Sequence, residues 1–208
     1  MTKEEWLEKY DSKELCKYHH KYFEEWWDAD KFNWEDSSSL ARHCSTYFNV
    51  WWDPEKFDWV NGSKTLAEYH NNNFNIWWDA KKFNWVDSWA LAEYQTNNFN
   101  IWWDAEKYNW LNSWVLAQFC FKDFNIWWDA EKYNWLNGSW FLTQYCTNYF
   151  NIWWDAKKFE WVFGKDDLNK YCSSKFSNLQ LKRLLLHSNK YARQFAIEEL
   201  ERRENDKK

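Results

Sequence analysis

A chain of 208 residues with 22 Trp, 16 Phe and 12 Tyr has ample material for a core, yet only three Gly and one Pro from which to build tight turns. That scarcity excludes a turn-dense β protein and any glycine-rich phosphate loop or dinucleotide fingerprint. The net charge of −5 is divided unevenly, with 19 basic and 27 acidic side chains in residues 1–179 and eight and five in residues 180–208. An acidic body opposes non-specific nucleic-acid binding, which needs cations to neutralise phosphates.

The first segment, MTKEEWLEKYDSKEL, has no apolar signal-peptide core, and no run of about 18 apolar residues follows to span a membrane. Five cysteines, an odd number, fit reduced thiols. The expectation is a soluble, cytoplasmic protein.

From Trp26-Trp27 onward one phrase recurs six times, its paired tryptophans beginning at Trp26, Trp51, Trp77, Trp102, Trp127 and Trp153. The period of 25 or 26 residues is that of stacked repeat units. Four columns are filled in every copy: a Leu (Leu91, Leu116), a Phe (Phe99, Phe124), a Lys three residues after the Asp that follows the pair (Lys107, Lys132) and a closing Trp (Trp110, Trp135). Within one unit, Asp87 or Ser88 caps a helix whose Leu91, Tyr94 and Gln95 share a face at i, i+3, i+4. Thr96 caps a second piece in which Phe99, Trp102 and Trp103 again share a face. Asp104 caps a third, and its counterpart Asp53 is followed by Pro54, a residue favoured at a first helical position. Gly62 and Gly138 sit in one-residue insertions, NGS, where a turn is expected.

Pieces this short are unstable alone and gain their burial by stacking, so the fold class predicted is an all-α solenoid of short-helix tandem repeats. A β-solenoid, which the aromatic content would suit, is disfavoured by the Leu-Ala-Glu-Tyr segments and the lack of Gly. The array is expected to occupy residues 1–178. Residues 179–208 are expected to form a capping helix pair with a charged outer face and tail. There Leu181, Leu184 and Leu185 make one stripe, and Ser188 caps a second helix with Tyr191, Phe195, Ile197 and Leu200 turned inward.

Positions needed for stacking must recur in every unit, whereas recognition positions are free to differ. At least one Trp of each pair is therefore expected in the core. Attention moves to the column two residues before the Leu, which reads Lys13, Ser38, Lys64, Trp89, Trp114, Trp140 and Asp166. At 100° per residue it points well away from the Leu stripe. Trp89, Trp114 and Trp140 are the expected partner contacts, unless they pack between neighbouring units, with Glu93, Gln118 and Gln144 on the rim. The variable junctions add Phe121, Lys122 and Tyr149.

The Lys column is expected to make surface i, i+3 pairs with Asp rather than to track a nucleic-acid backbone. A column of His19, Cys44, His70, Gln95, Cys120, Cys146 and Cys172 suggests a metal ladder, but stacked helices stand about 8–10 Å apart, too far for disulfides and awkward for a shared ion. Cys16, His19, His20, His43 and Cys44 cluster without matching a zinc-finger spacing. No catalytic motif stands out. The reading is a non-enzymatic scaffold, without cofactor or metal, that binds a partner protein through variable aromatics. The alternatives are an aromatic groove for a nucleotide, single-stranded nucleic acid or sugar, and a self-assembling structural protein or small effector or counter-defence inhibitor.

Overall fold

The computed structural model describes residues 1–206 and is helical throughout, with no strand among the described residues. It falls into two compact units, Met1–Tyr108 and Asn109–Lys208. The first contains α1 (Lys3–Lys9), α2 (Ser12–His19), α3 (Phe23–Trp26), α4 (Ser37–His43), α5 (Phe48–Trp51), α6 (Trp59–Tyr69), α7 (Phe74–Trp77), α8 (Ser88–Tyr94) and α9 (Phe99–Trp102). The second contains α10 (Ser113–Phe119), α11 (Phe124–Trp127), α12 (Trp135–Tyr145), α13 (Phe150–Trp153), α14 (Trp161–Cys172), α15 (Asn178–Leu184) and α16 (Lys190–Asn205).

Each repeat is one longer helix carrying the column Leu, a 3-10 turn, and a single-turn helix that starts at the column Phe. Inside the units the longer helices pack in sequence, α2 on α4, α4 on α6 and α6 on α8, then α10 on α12, α12 on α14 and α14 on α16. Every column Leu from Leu15 to Leu168 and every column Phe from Phe23 to Phe176 is buried. The chain is a helical-repeat solenoid, stabilised by neighbour-to-neighbour burial that no single-turn helix achieves alone.

Local details depart from the sequence reading in three places. Asp104 opens a turn rather than a third helix. The Tyr108 amide reaches the Asp104 carbonyl at 2.9 Å and the Asp104 carboxylate takes the Glu106 amide at 3.0 Å, after which the chain extends. Thr96 starts a 3-10 turn, and the one-turn helix after it has no side-chain cap. The NGS glycines mark no turn: Gly62 and Gly138 lie inside the eleven-residue helices α6 and α12.

Those insertions have a simple geometric reading. In α4, α8 and α10, which lack the Gly, the helix is preceded by a three-residue 3-10 turn, such as Trp34–Asp36 before α4 or Trp85–Asp87 before α8. Three residues rising about 2.0 Å each span about 6 Å, as do four α-helical residues rising about 1.5 Å each. An extra residue therefore converts 3-10 turn to α-helix without moving the Leu column. The inserted residue faces a column aromatic ring at close range. A Cβ on Gly138 would lie 2.6 Å from Cε1 and Cζ of Tyr133, and one on Gly62 would lie 2.5 Å from Cε1 of Phe57. Gly164, facing Phe159, repeats the arrangement in α14.

At the C-terminal end, Leu181 and Leu184 are buried while Leu185 is half-buried. Asn189 rather than Ser188 caps α16, accepting from the Tyr191 amide at 2.9 Å. The inward stripe of α16 is Ala192, Phe195, Ala196 and Glu199, spaced i, i+3, i+4, i+7, which turns Ile197 out to solvent. Phe195 meets Trp161 and Phe176, and buried Glu199 is held by Arg202 and Arg203 at 2.6–2.9 Å, contacts that keep its carboxyl below the usual range against the opposing cost of burial.

Helix propensity alone favours Ala over Gly by up to about 1 kcal/mol. Here the collision with a packed ring outweighs it, so Gly138→Ala is expected to destabilise by about 1–3 kcal/mol. The test is the midpoint of urea unfolding, against Asn137→Ala in the same helix, where the exposed side chain leaves the midpoint nearly unchanged.

Candidate binding surface and the bonds that hold it

The tryptophan pair divides its labour. The first Trp is the deep one: Trp26, Trp51, Trp77, Trp102, Trp127 and Trp153 are 0–1% exposed. A buried indole N–H needs an acceptor, and each finds the carbonyl seven residues back, at 2.8–2.9 Å. That carbonyl belongs to the residue at or directly after the longer helix's C-terminus, where the last carbonyls lack intrahelical donors. The second Trp is half-buried and lies flat on the column Phe, as Trp103 does on Phe99 at 5.3 Å and 15°. Phe99 thus meets both indoles, as the i, i+3, i+4 spacing predicted, although the helix ends at Trp102 and Trp103 is extended. The closing Trp is half-buried except Trp161, and its N–H bonds the turn carbonyl five residues back, as Trp85 to Ala80 at 3.0 Å and Trp135 to Ala130 at 2.9 Å.

Three sets of polar bonds tie each repeat to the one before it. The first uses a buried serine. Ser63 Oγ donates to the Trp59 carbonyl at 2.5 Å and accepts the Asn84 amide of the next repeat at 2.9 Å. Ser139 does the same between Trp135 and Glu160, at 2.6 and 3.0 Å. The second uses the Cys/His/Gln column. His70 Nε2–H donates to Ala41 O at 2.8 Å, Gln95 Nε2 to Ala67 O at 2.6 Å, and the thiols of Cys146 and Cys172 approach Ala117 O and Thr143 O at 3.6 and 3.5 Å. Each side chain is a donor aimed at an orphan helix-end carbonyl of its predecessor, which explains why such different residues share one column. Burial pushes the Cys120, Cys146 and Cys172 thiols up to about 12, so they persist as uncharged donors. No group of three or more His, Cys, Asp or Glu side chains converges to hold a metal ion among the described residues.

The third set corrects the role expected of the lysines. The i, i+3 pair exists at Lys107, 3.2 Å from Asp104. Lys82 instead reaches back to the Pro54 carbonyl at 3.0 Å and the Glu55 carboxylate at 2.5 Å, and Lys158 likewise bonds Ala130 O and Glu131. Lys56, pairing with Asp30 at 3.0 Å, also stands 5.9 Å from the Trp34 ring centre. The reach of a lysine stem exceeds one turn, and the preceding turn carbonyl offers a fixed acceptor that a neighbouring Asp side chain does not.

On this frame the variable residues fall into distinct environments. In the second unit Trp114 and Trp140 are half-buried and gathered on Phe141, with ring centres 4.8 and 3.6 Å from it. Trp89, in the first unit, is half-buried under the Lys64 ammonium, 4.7 Å from its ring centre. Phe121 is 37% exposed and Lys122 exposed beside it. Gln118 and Gln144 are half-buried, and Gln144 Oε1 is a buried acceptor without a hydrogen-bond donor. Tyr149 is used internally: it stacks on Phe124 at 4.5 Å and 11°. Tyr47 covers Phe23 in the same way, whereas Phe48 is covered by His70. Cys44 and Cys146 are thus followed three residues on by Tyr47 and Tyr149, and His70 by Asn73.

The sequence reading missed two uniform columns that are exposed. Val50, Ile76, Ile101, Ile126 and Ile152 are 55–61% exposed, and Val60, Val86, Leu111, Leu136 and Val162 are 53–72% exposed. Recurrence therefore does not imply burial in this array. The signal available was phase: these residues directly precede the buried Trp or follow the closing one, so they point off the inner face. Comparison with protein-family models, curated proteins and solved structures returns no match. No described helix is long and apolar enough to cross a membrane.

Removing a buried hydroxyl that serves two backbone groups costs the desolvation of both, about 1–3 kcal/mol, while an exposed ion pair is worth about 0.2–1 kcal/mol. Ser139→Ala is thus expected to lower stability more than Lys158→Ala, read from denaturant midpoints, and the reverse order would refute the serine's role. A second expectation concerns pH. Burial lowers the pKa of His70, with the bond to Ala41 O offsetting part of the shift. The unfolded chain then binds a proton that the folded one refuses, so stability is full above about pH 6.5 and falls as pH drops towards the lower folded value. In His70→Gln, which installs the residue that Gln95 supplies one repeat later, that component of the pH dependence should vanish.

Proposed function

We propose that the chain is a non-enzymatic repeat scaffold that holds a partner protein against aromatic residues in its variable positions. The observation that carries this reading is the pair Trp114 and Trp140, large rings left half-buried over the buried Phe141 at a column where other repeats carry Lys13, Ser38 and Lys64. The repeat does not need these rings to stack, since it is built without them elsewhere. Partly exposed aromatics of this kind dominate protein interfaces, anchoring in pockets of the partner. Phe121 and Lys122 extend the same chemistry in the second unit, and Trp89 with Lys64 supplies it in the first. Gln118 and Gln144 provide polar rim groups. The exposed Ile and Val columns add apolar area that a partner can cover. The five buried cysteines, all present as thiols, support a reducing, cytoplasmic setting.

The double variant Trp114→Ser/Trp140→Ser should retain the parent's helical circular dichroism and cooperative unfolding. It should also lose the protein that the parent retains in a pull-down from the native host. Equal recovery by parent and variant would sink the proposal, and an unfolded variant would show these rings to be core.

A further inference from the structure

The outer face of the first unit carries a recess of about 310 Å³ that neither the aromatic cluster nor the stacking bonds use. Lys13 and Lys17 of α2, Ser38, Ser39, Arg42 and His43 of α4, and Asn61 and Thr65 of α6 line it. Three formal cations enter from two helices, four neutral donors complete the wall, and no carboxylate does. A second recess of the same unit has a different lining. That one, about 410 Å³, is walled by Glu4, Glu8, Asp11 and Asp36 with Lys31. Lys13 and Lys17 also border a recess of about 200 Å³ shared with Asp11 and Glu14, so the cation-only lining is confined to the side that faces α4 and α6.

Like charges brought into a recess repel unless something neutralises them, and the residues here show that strain. Burial, then Arg42, His20 and Lys17, lower the pKa of His43. Of the carboxylates on the lining helices, Glu14 is engaged with the Asp11 amide, and Glu68 stands 4.0 Å from Arg42 Nη2, a contact at the limit of an ion pair. The Arg42 guanidinium also lies over the Tyr69 ring, its Cζ 5.4 Å from the ring centre, while half of the side chain stays open to solvent. A carboxylate uses two acceptor oxygens. Three cations with hydroxyl and amide donors around them match a group with three terminal oxygens and nearly two charges.

We infer that this recess, formed by Lys13, Lys17, Arg42, His43, Ser38 and Thr65, is a binding site for a phosphoryl dianion, supplied either as free phosphate or as a phosphorylated side chain. It is independent of the partner surface proposed above, since none of those aromatics lines it.

The test is a titration of the full chain with inorganic phosphate at constant ionic strength, followed by nuclear magnetic resonance of the His43 imidazole and of the Lys13, Lys17 and Arg42 side chains. The expected result is a saturable shift at these four residues and a rise in the pH at which His43 titrates, because a bound dianion favours the imidazolium. Lys13→Gln/Lys17→Gln, both exposed in the parent, should keep the fold and weaken binding at least ten-fold. A phosphoserine peptide bound more tightly than inorganic phosphate, with the unphosphorylated peptide silent, assigns the phosphorylated chain as the source; equal affinity assigns the free anion. The inference is overturned if sodium chloride reproduces the shifts, or if the double variant binds phosphate like the parent.

Discussion

The whole array depends on hiding an indole without orphaning its N–H. Each buried Trp sits 0–1% exposed, and its nitrogen meets a carbonyl at the end of the preceding helix, as Trp102 meets Gln95 O at 2.9 Å. That bond satisfies the ring donor, and the same carbonyl takes the amide of the 3-10 turn, as Gln95 O does from Asn98, so both its lone pairs are used. It also fixes the angle between the longer helix and the single-turn helix, because a seven-residue separation closes only if the 3-10 turn lies between them. The second Trp, the column Phe and the closing Trp then fill the space that this angle creates.

The same economy explains why so little hydrophobic variety is needed. Backbone groups freed by short helices are numerous in a chain with so many helix ends, and each class has its dedicated side chain. The serine takes the start of the helix, the Cys/His/Gln column takes its end, and the lysine takes the turn. These residues all act across the seam between repeats, so cohesion of the stack is polar as well as aromatic. Ion pairs at the surface are worth little singly, but the serine and column bonds are buried and their loss leaves backbone groups bare.

Much of the architecture was legible because it repeats. Period, helical class, the burial of one Trp per pair and the buried Leu and Phe columns all follow from spacing. What was not legible depended on distances across the seam. Lys82 could not be seen to prefer Pro54 over its own Asp79, because reach is a property of the stack. Gly62 and Gly138 read as turns since NGS is turn-like locally, and only their contact with Phe57 and Tyr133 shows them to be close-packing sites. For the candidate surface, spacing alone marks Trp89, Trp114 and Trp140 as a variable column, whereas the stacking of Tyr149 on Phe124 is a contact between repeats that spacing does not show. Conversely, Ile101 and Leu111 show that a recurring apolar position can face solvent.

The three seam bonds share a direction. In each, the donor lies in the later repeat and the acceptor in the earlier one: Asn84 to Ser63, Gln95 to Ala67, Lys82 to Pro54. A chain leaving the ribosome therefore exposes acceptors first, and water can serve them until the next 25 or so residues arrive. Each new repeat completes the one already made and leaves its own carbonyls waiting. Synthesis and assembly run the same way along the molecule, and no repeat has to wait for a distant segment before its predecessor is sealed.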